Sequence, residues 1–207
     1  MPPKARPSPA KRAYHHGDLR AQLLESALAI LRTKGPQALT IRGVARAAHV
    51  SQAAPYRHFA DRRALVAAVA EAGFHLLHTA MFEGMQRAPG GQGFRQVAVA
   101  YMQFAHDHPA EYRIMFGPEL SNHDELPALR EASHATLGFV AGGIAGLQSA
   151  GVVGKGDPAI MAAALWSMLH GLVMLTLDGQ THGVASSPDA LVQEAMRIMM
   201  FGMAPRA

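Results

Sequence analysis

The sequence is 207 residues long, with 49% hydrophobic and 6% aromatic residues, a net charge of +4 and no cysteine. This length and apolar content suffice for one large domain or two small ones with a hydrophobic core, and the lack of cysteine excludes disulfides and thiolate metal sites. Abundant Ala, Leu and Met beside few aromatic residues favour helices over sheet.

The chain opens with a basic segment followed by an amphipathic helix. Residues 1–13 are rich in Pro, Lys and Arg without any hydrophobic period, which predicts a disordered tail. Asp18 is the expected cap of a first helix, whose apolar residues repeat about every 3.6 positions. Gly35-Pro36 is expected to end that helix.

Three more helices are expected before the middle of the chain. Thr40 is predicted to cap a short second helix, and His49-Val50 to turn the chain. Ser51 is predicted to cap a third helix that ends near Phe59. Asp61 then caps a long fourth helix. The expected boundaries are 14–62 for the first unit, with its motif at 40–59, and 62–85 for the connecting helix.

The second half shows only longer helical patterns. No segment alternates with a period of two residues over a useful length, so no strand is predicted. The expected fold is all-α: a three-helix unit, joined by the long helix to a larger helical domain at 93–204. The helices predicted there run from Gly93 to Asp107, Pro109 to about Phe116, Pro127 to Ala150, Asp157-Pro158 to about Asp178, and Ser187-Pro188 to Gly202.

Charge is divided unevenly along the chain. Residues 1–65 contain twelve Lys and Arg against three acids, whereas residues 66–207 contain seven against twelve. Four of the positive residues lie in the tail, and the other eight lie within the helical pattern that follows. This asymmetry indicates that the first unit meets a polyanion.

Residues 40–65 have the pattern of a helix-turn-helix. Two short helices joined by a tight turn, with small alanines at their crossing, predict this motif. The second helix would present a polar, aromatic face from Gln52 to His58. Helix-turn-helix geometry also occurs in proteins that bind no nucleic acid, but the positive charge of this segment favours DNA.

The segment TIRGVARAAHVSQAAPYRHFADRRALVAAV resembles the DNA-binding segment of TetR-family transcriptional regulators. YHHGDLRAQLLESALAIL resembles the start of one branch of that family, and LWSMLHGLVMLTLDG resembles the Trp-x-x-x-His-Gly signature of its regulatory domain. Two positions depart from the pattern: Arg62 stands where lysine is usual, and Ala54 where threonine is common.

The matched positions and the chemistry of base edges predict the DNA contacts. Arg42 could bind a guanine, Gln52 an adenine, and Ala53 or Pro55 a thymine methyl group. Thr40 and Ser51 would also serve as caps. The tail from Lys4 to Arg12 either follows the DNA or stays solvated, and the sequence leaves both open. The residues predicted to contact phosphates are Thr40, Ser51, Tyr56, His58 and Arg62, and Arg57 completes the candidate surface.

A recognition helix that reads few base pairs needs a second copy for specificity, which predicts a homodimer on a palindromic DNA operator. The resemblance implies a four-helix bundle made by the last two helices. An intramolecular core would show the same apolar rows, so the sequence does not separate the two. Those rows are Met161, Leu165, Met168, Leu169, Leu172 and Leu175, then Leu191, Ala195, Ile198 and Met199.

The middle helices are expected to hold a small apolar or aromatic effector, although a Met and Phe stripe also fits an ordinary core. His170 is expected to hydrogen-bond across that core. The candidate pocket residues are Met102, His106, Phe116, His134, Trp166 and His170.

The sequence contains no pattern that predicts a metal, a cofactor or a catalytic site. His106 with His108, or His75 with His78, lacks a third metal ligand. The expected protein is therefore a cytoplasmic regulator without membrane segments, most simply a repressor released by its effector. An effector-independent or partner-regulated DNA-binding protein, an activator on the same fold, and an enzyme on a helical scaffold are the alternatives.

Overall fold

A computed structural model describes residues 16–88, 93–121, 125–184 and 188–203. Within these ranges the chain forms helices and no strand, which confirms the all-α prediction. The predicted tail at 1–13 and the predicted cap at Ser187 lie outside the described residues. The helices are α1 (His16–Lys34), α2 (Ile41–Ala47), α3 (Arg62–Arg87), α4 (Gly93–Asp107), α5 (Pro109–Met115), α6 (Pro127–Ser149), α7 (Pro158–Leu177) and α8 (Pro188–Met203).

Several helix ends follow the predicted capping residues. The Thr40 hydroxyl accepts a hydrogen bond from the Gly43 N–H at 3.0 Å, and the Asp61 carboxylate accepts one from the Ala64 N–H at 2.8 Å. Asp157 caps α7, with proline at the first helical position as expected. Helix α1 begins at His16 and already includes Asp18, so it starts before the predicted capping position.

The predicted third helix from Ser51 to Phe59 is wrong. Residues 51–53 form a turn, and only a single 3-10 turn, Ala54–Arg57, follows. Proline disfavours the helical conformation in the residue before it and has no N–H to bond back. Pro55 therefore sits in the first turn of a shorter element, where no N–H is needed.

Helix α3 forms the centre of the molecule. It packs against α1 of the N-terminal part and against α4, α5 and α6 of the second part. Its buried face includes Leu65, Val69, Phe74, Leu77 and Met81. The approach to α5 is close: a Cβ on Gly73 would lie 2.6 Å from the Met115 sulfur. Because α3 belongs to both parts of the core, the predicted domain boundary at residue 62 stays a prediction.

Candidate nucleic-acid interface and regulatory cavity

The turn after α2 sets the position of the candidate interface. His49 adopts a φ of 56°, in the left-handed region that histidine tolerates better than most residues. The Val50 N–H donates to the Ala45 carbonyl at 3.0 Å, which closes the turn. Val44 and Phe59 are buried beneath it. The predicted turn at His49-Val50 is thus present, and it connects α2 to the 3-10 turn Ala54–Arg57.

Most predicted DNA-contacting side chains lie on the solvent side of this motif. Tyr56 is 52% exposed although it is a large aromatic residue. His58 is partly buried and lies beside the Phe59 ring, with 6.4 Å between centroids. Polar side chains on an exposed helix-turn-helix suit contacts with phosphates and base edges. The exposed members of the set are Thr40, Arg42, Ser51, Gln52, Ala53, Tyr56 and Arg57.

Pro55 does not lie on that surface. It is buried in the motif, and its carbonyl accepts hydrogen bonds from the N–H groups of His58 and Phe59, both at 2.9 Å. A buried ring cannot reach a thymine methyl group, so the structure assigns Pro55 an anchoring role instead. Of the two residues predicted for that contact, Ala53 is the exposed one.

Arg62, predicted to contact phosphate, donates hydrogen bonds to protein acceptors from all three nitrogens of its guanidinium. Its Nε donates to the Leu39 carbonyl and one terminal nitrogen to the Pro36 carbonyl, each at 2.9 Å. The other terminal nitrogen binds both carboxylate oxygens of Glu119, at 2.7 and 2.8 Å. A lysine could not make this set of contacts from one compact ammonium group. The predicted phosphate contact of Arg62 stays a prediction.

Two more arginines connect the N-terminal unit with the second half of the chain. Arg32 on α1 pairs with Glu111 on α5, whose side chain is 1% exposed. Arg63 at the start of α3 pairs with Glu125. Sequence reasoning missed these pairs because their members lie far apart in the chain, and a single sequence carries no signal that links them.

The predicted effector pocket is divided in the structure. Met102 and His106 line a cavity of about 620 Å³ between α4, α7 and α8. Phe116, Trp166 and His170 lie together elsewhere, in an aromatic cluster beside α3 and α5. His134 is exposed on α6 and belongs to neither group. The set of six residues therefore does not form one site.

The aromatic cluster is held by a chain of buried hydroxyl groups. The Tyr112 hydroxyl lies 2.6 Å from the Tyr101 hydroxyl and 2.7 Å from His170 Nδ1. Burial lowers the pKa of His170 and raises the pKa of both tyrosines. A neutral His170 ring can accept at Nδ1 from Tyr112, which in turn accepts from Tyr101. The expected bond of His170 across the core is present, and sequence reasoning missed its partner Tyr112 and the Tyr101 hydroxyl that Tyr112 binds in turn.

Helix α7 exposes much of an apolar surface. By length and composition alone, α7 and α3 are both long and apolar enough to cross a membrane, as the core helices of folded proteins also can be. The most apolar 18 residues of α7 have a mean hydropathy of 1.8 and are only 22% buried, against 56% for those of α3. Exposed or partly exposed residues of α7 recur at helical spacing, and α8 carries a similar row, in which Gly171, Leu191 and Ala195 are the partly exposed members. We call this surface the α7–α8 stripe: Ile160, Ala164, Met168, Gly171 and Leu175 on α7, with Leu191, Ala195, Ile198 and Gly202 on α8.

The structure shows which residues of the predicted apolar rows are buried within the chain and which are exposed, and the predicted contact between subunits stays a prediction. Leu165, Leu169 and Met199 are buried inside the chain. Met168, Leu175 and Ile198 are 46%, 51% and 51% exposed. Among the described residues no group of three or more His, Asp or Glu side chains is arranged to hold a metal ion.

Two family models match the chain. Residues 23–69 match the model of bacterial regulatory proteins of the tetR family, and residues 94–199 match the tetracyclin repressor-like C-terminal domain. An uncharacterized HTH-type transcriptional regulator of Mycobacterium tuberculosis is 30% identical over 192 residues, which cover 90% of this chain and 82% of that protein.

Two further relatives cover nearly the whole chain. The tetracycline repressor protein class A from transposon 1721 of Escherichia coli is 27% identical over 206 residues, or 89% of each chain. The structure of a protein of unknown function from Rhodococcus sp. RHA1 has a TM-score of 0.80 and 32% identity, covering 94% of this chain and all of that one.

Proposed function

We propose that this chain, which belongs to the TetR family of bacterial regulatory proteins, reads a palindromic operator with two copies of the surface from Thr40 to His58. Membership makes the chain a DNA-binding regulator of transcription. The observation that carries the finer proposal is the exposed face of Gln52, Tyr56 and Arg57 on the helix-turn-helix. It lies in the part of the sequence where positive residues outnumber acids twelve to three.

The division of labour on this surface follows from side-chain chemistry. Arg42 offers a planar fork that suits a guanine edge, Gln52 offers an amide that suits adenine, and Ala53 offers a methyl group for thymine. Tyr56, Arg57 and the partly buried His58 flank them, where they would bind phosphates and set the register. Because Thr40 and Ser51 are exposed as well, their hydroxyls extend the phosphate contacts at either side.

A homodimer formed through the α7–α8 stripe would present the second copy. An exposed apolar surface of this extent on a soluble regulator favours a protein contact. A Cβ added at Gly171 or Gly202 would meet no atom of the described residues within 4 Å, so a partner helix can approach closely there. Two-fold symmetry would then place the recognition elements about 34–36 Å apart, one turn of DNA.

The regulator acts as a repressor that a small effector releases from its operator in the cytoplasm. An effector in the second half of the chain would shift α3, because α3 packs against α5 and α6 and also begins the connection to the DNA-binding unit. A hundredfold loss of operator affinity needs about 2.7 kcal/mol of effector preference for the non-binding state. An activator, or a DNA-binding protein without an effector, would use the same fold.

Selection of bound duplexes from a random pool tests the proposal. We expect a palindrome whose half-sites are one helical turn apart, bound with a steep salt dependence. The Arg42→Ala, Tyr56→Ala double variant should lose the selected duplex, while Arg130→Ala on α6 should keep it. Failure to select any duplex, or equal binding by the double variant, would reject the proposal, and so would any enzymatic activity found instead.

A further inference from the structure

The cavity between α4, α7 and α8, which we call the α4 groove, has the size of a small-molecule site. Its volume of about 620 Å³ lies within the range of ligand pockets. Four of its residues, Arg95, Val99, Met102 and His106, follow one another at helical spacing on a single face of α4. At about 1.5 Å per residue, this row is roughly 16 Å long.

The α4 groove has an apolar floor and a polar rim. The floor contains Ala105, Val173 and Val192, which are 1%, 1% and 4% exposed. The rim is exposed and carries glutamine side chains, which can donate and accept hydrogen bonds. The rim residues are Gln103, His106 and Gln193, with Gln96 and Thr176 partly buried between rim and floor.

Among the described residues that line the α4 groove, one formal charge lies at one end: Arg95 is the one Lys, Arg, Asp or Glu of that set. Within the described part of the chain, Arg95 makes no ion pair or side-chain hydrogen bond. It lies in the first turn of α4, where the helix dipole also favours a negative group. This end of the groove is therefore suited to an anion, and the rest to an apolar chain.

The α4 groove and the α7–α8 stripe use different residues. On α7, the groove is lined by Val173, Thr176 and Leu177, whereas the stripe includes Met168, Gly171 and Leu175. At about 100° per residue these two sets lie on opposite sides of the helix. Pairing of two chains through the stripe would thus leave the groove open to a ligand.

We propose that the α4 groove binds an amphipathic monocarboxylate, with its carboxylate at Arg95 and its apolar chain along Val99 and Met102. This inference rests on the proposed function, for which it names the effector class. The floor removes the apolar chain from water. The guanidinium of Arg95 pairs with the carboxylate in the bidentate geometry that arginine favours.

Calorimetric titration of the full chain with straight-chain fatty acids, from hexanoate to hexadecanoate, tests the site. Each added methylene should tighten the Kd about threefold to fourfold until the chain fills the groove. The matched alcohols, which lack the charge, should bind about fivefold more weakly. No binding, or equal binding of acids and alcohols, would overturn the proposal.

Two variants locate the binding. Arg95→Gln should weaken dodecanoate about fivefold, and Arg130→Gln, which removes the same charge from α6, should leave it unchanged. Val99→Trp fills the groove and should abolish binding at an unchanged thermal midpoint. The proposal is wrong if Arg95→Gln binds dodecanoate as tightly as the parent chain. It is also wrong if Val99→Trp changes dimerisation, which would show that a partner subunit occupies the groove.

Operator binding separates this inference from the proposed function. With the selected duplex, saturating dodecanoate should weaken DNA binding by the parent chain and leave Val99→Trp unaffected. Dodecanoate that binds without changing DNA affinity would overturn the effector role while the DNA-binding function stands. A chain that selects no duplex would overturn the proposed function itself, and with it the effector role.

Discussion

Arg32, near the end of α1, pairs with Glu111, a carboxylate that is almost completely buried on α5. The pair joins the DNA-binding unit to the helix that also carries Tyr112. His108 lies beside it, with its Nδ1 3.8 Å from Glu111. Arg32 is half exposed, whereas Glu111 is buried. Removal of the arginine would therefore leave a buried carboxylate without its charged partner, which destabilises the fold.

Arg32→Ala is therefore expected to destabilise the protein by about 1–2 kcal/mol, after a discount for the exposed half of the arginine. The thermal midpoint should fall by roughly 2–8 °C. Arg87→Ala removes an arginine from a fully surface pair with Glu83 and should change stability by less than about 0.5 kcal/mol. Urea and thermal unfolding measure both variants. If Arg32→Ala and Arg87→Ala lower the free energy of unfolding equally, the burial of Glu111 does not strengthen its pair with Arg32.

Arg42→Ala and Arg57→Ala should weaken DNA binding in different ways. Arg42→Ala is expected to cost about 1–3 kcal/mol on the selected operator and to relax preference at one base pair. Arg57→Ala should weaken all duplexes alike and lower the slope of log K against log salt by about 1. Binding titrations over a salt series with matched and mismatched duplexes distinguish the two. The assignment fails if Arg57→Ala alters base preference.

Leu175→Glu should dissociate the dimer. It places a carboxylate from each chain in the α7–α8 stripe, so the dimer Kd should rise at least about tenfold. Leu76→Glu is the matched control: Leu76 on α3 is 45% exposed against 51% for Leu175, but lies outside the stripe. Analytical ultracentrifugation measures both. A monomeric parent chain would contradict the proposed dimer, and two variants that dissociate alike would show that the contact does not lie in the stripe.

Pro55→Ala should lower stability and leave base preference intact. The proline is buried and its conformation restricts the unfolded chain, so its loss should cost about 1 kcal/mol. Ala53→Ser, at the exposed neighbouring position, should do the reverse: nearly unchanged stability and altered preference at a thymine. Urea unfolding and repeated duplex selection test the pair. A changed base preference in Pro55→Ala would reinstate the thymine contact predicted from the sequence.

His170 should make stability fall as the pH drops through the ordinary range of histidine. Burial lowers its pKa in the folded chain, so the unfolded chain binds the proton more readily. Stability is therefore full above about pH 6.5 and decreases below it. His170→Gln, which keeps a polar partner for Tyr112, should show a smaller decrease between about pH 7.5 and about pH 5.5. Thermal midpoints that fall equally in both proteins would contradict this.

Features that depend on neighbours within a turn or two could be predicted from the amino-acid sequence alone. The caps at Thr40, Asp61 and Asp157 were predictable because a side-chain oxygen and the N–H groups it binds lie within three residues. Hydrophobic period predicted the long helices to within a few residues, and the uneven charge is the basis for the prediction that the first unit binds DNA.

Which side chains of those helices face the protein and which face outward depended on the packing of the whole chain. Leu169 and Met168 are adjacent in an apolar run, yet the first is buried and the second exposed. The Arg62 guanidinium binds the carbonyls of Pro36 and Leu39 and the carboxylate of Glu119. His134 lies outside the cavity that it was predicted to line. Such outcomes depend on contacts between residues far apart in the chain, and local pattern carries no information about which distant groups will meet.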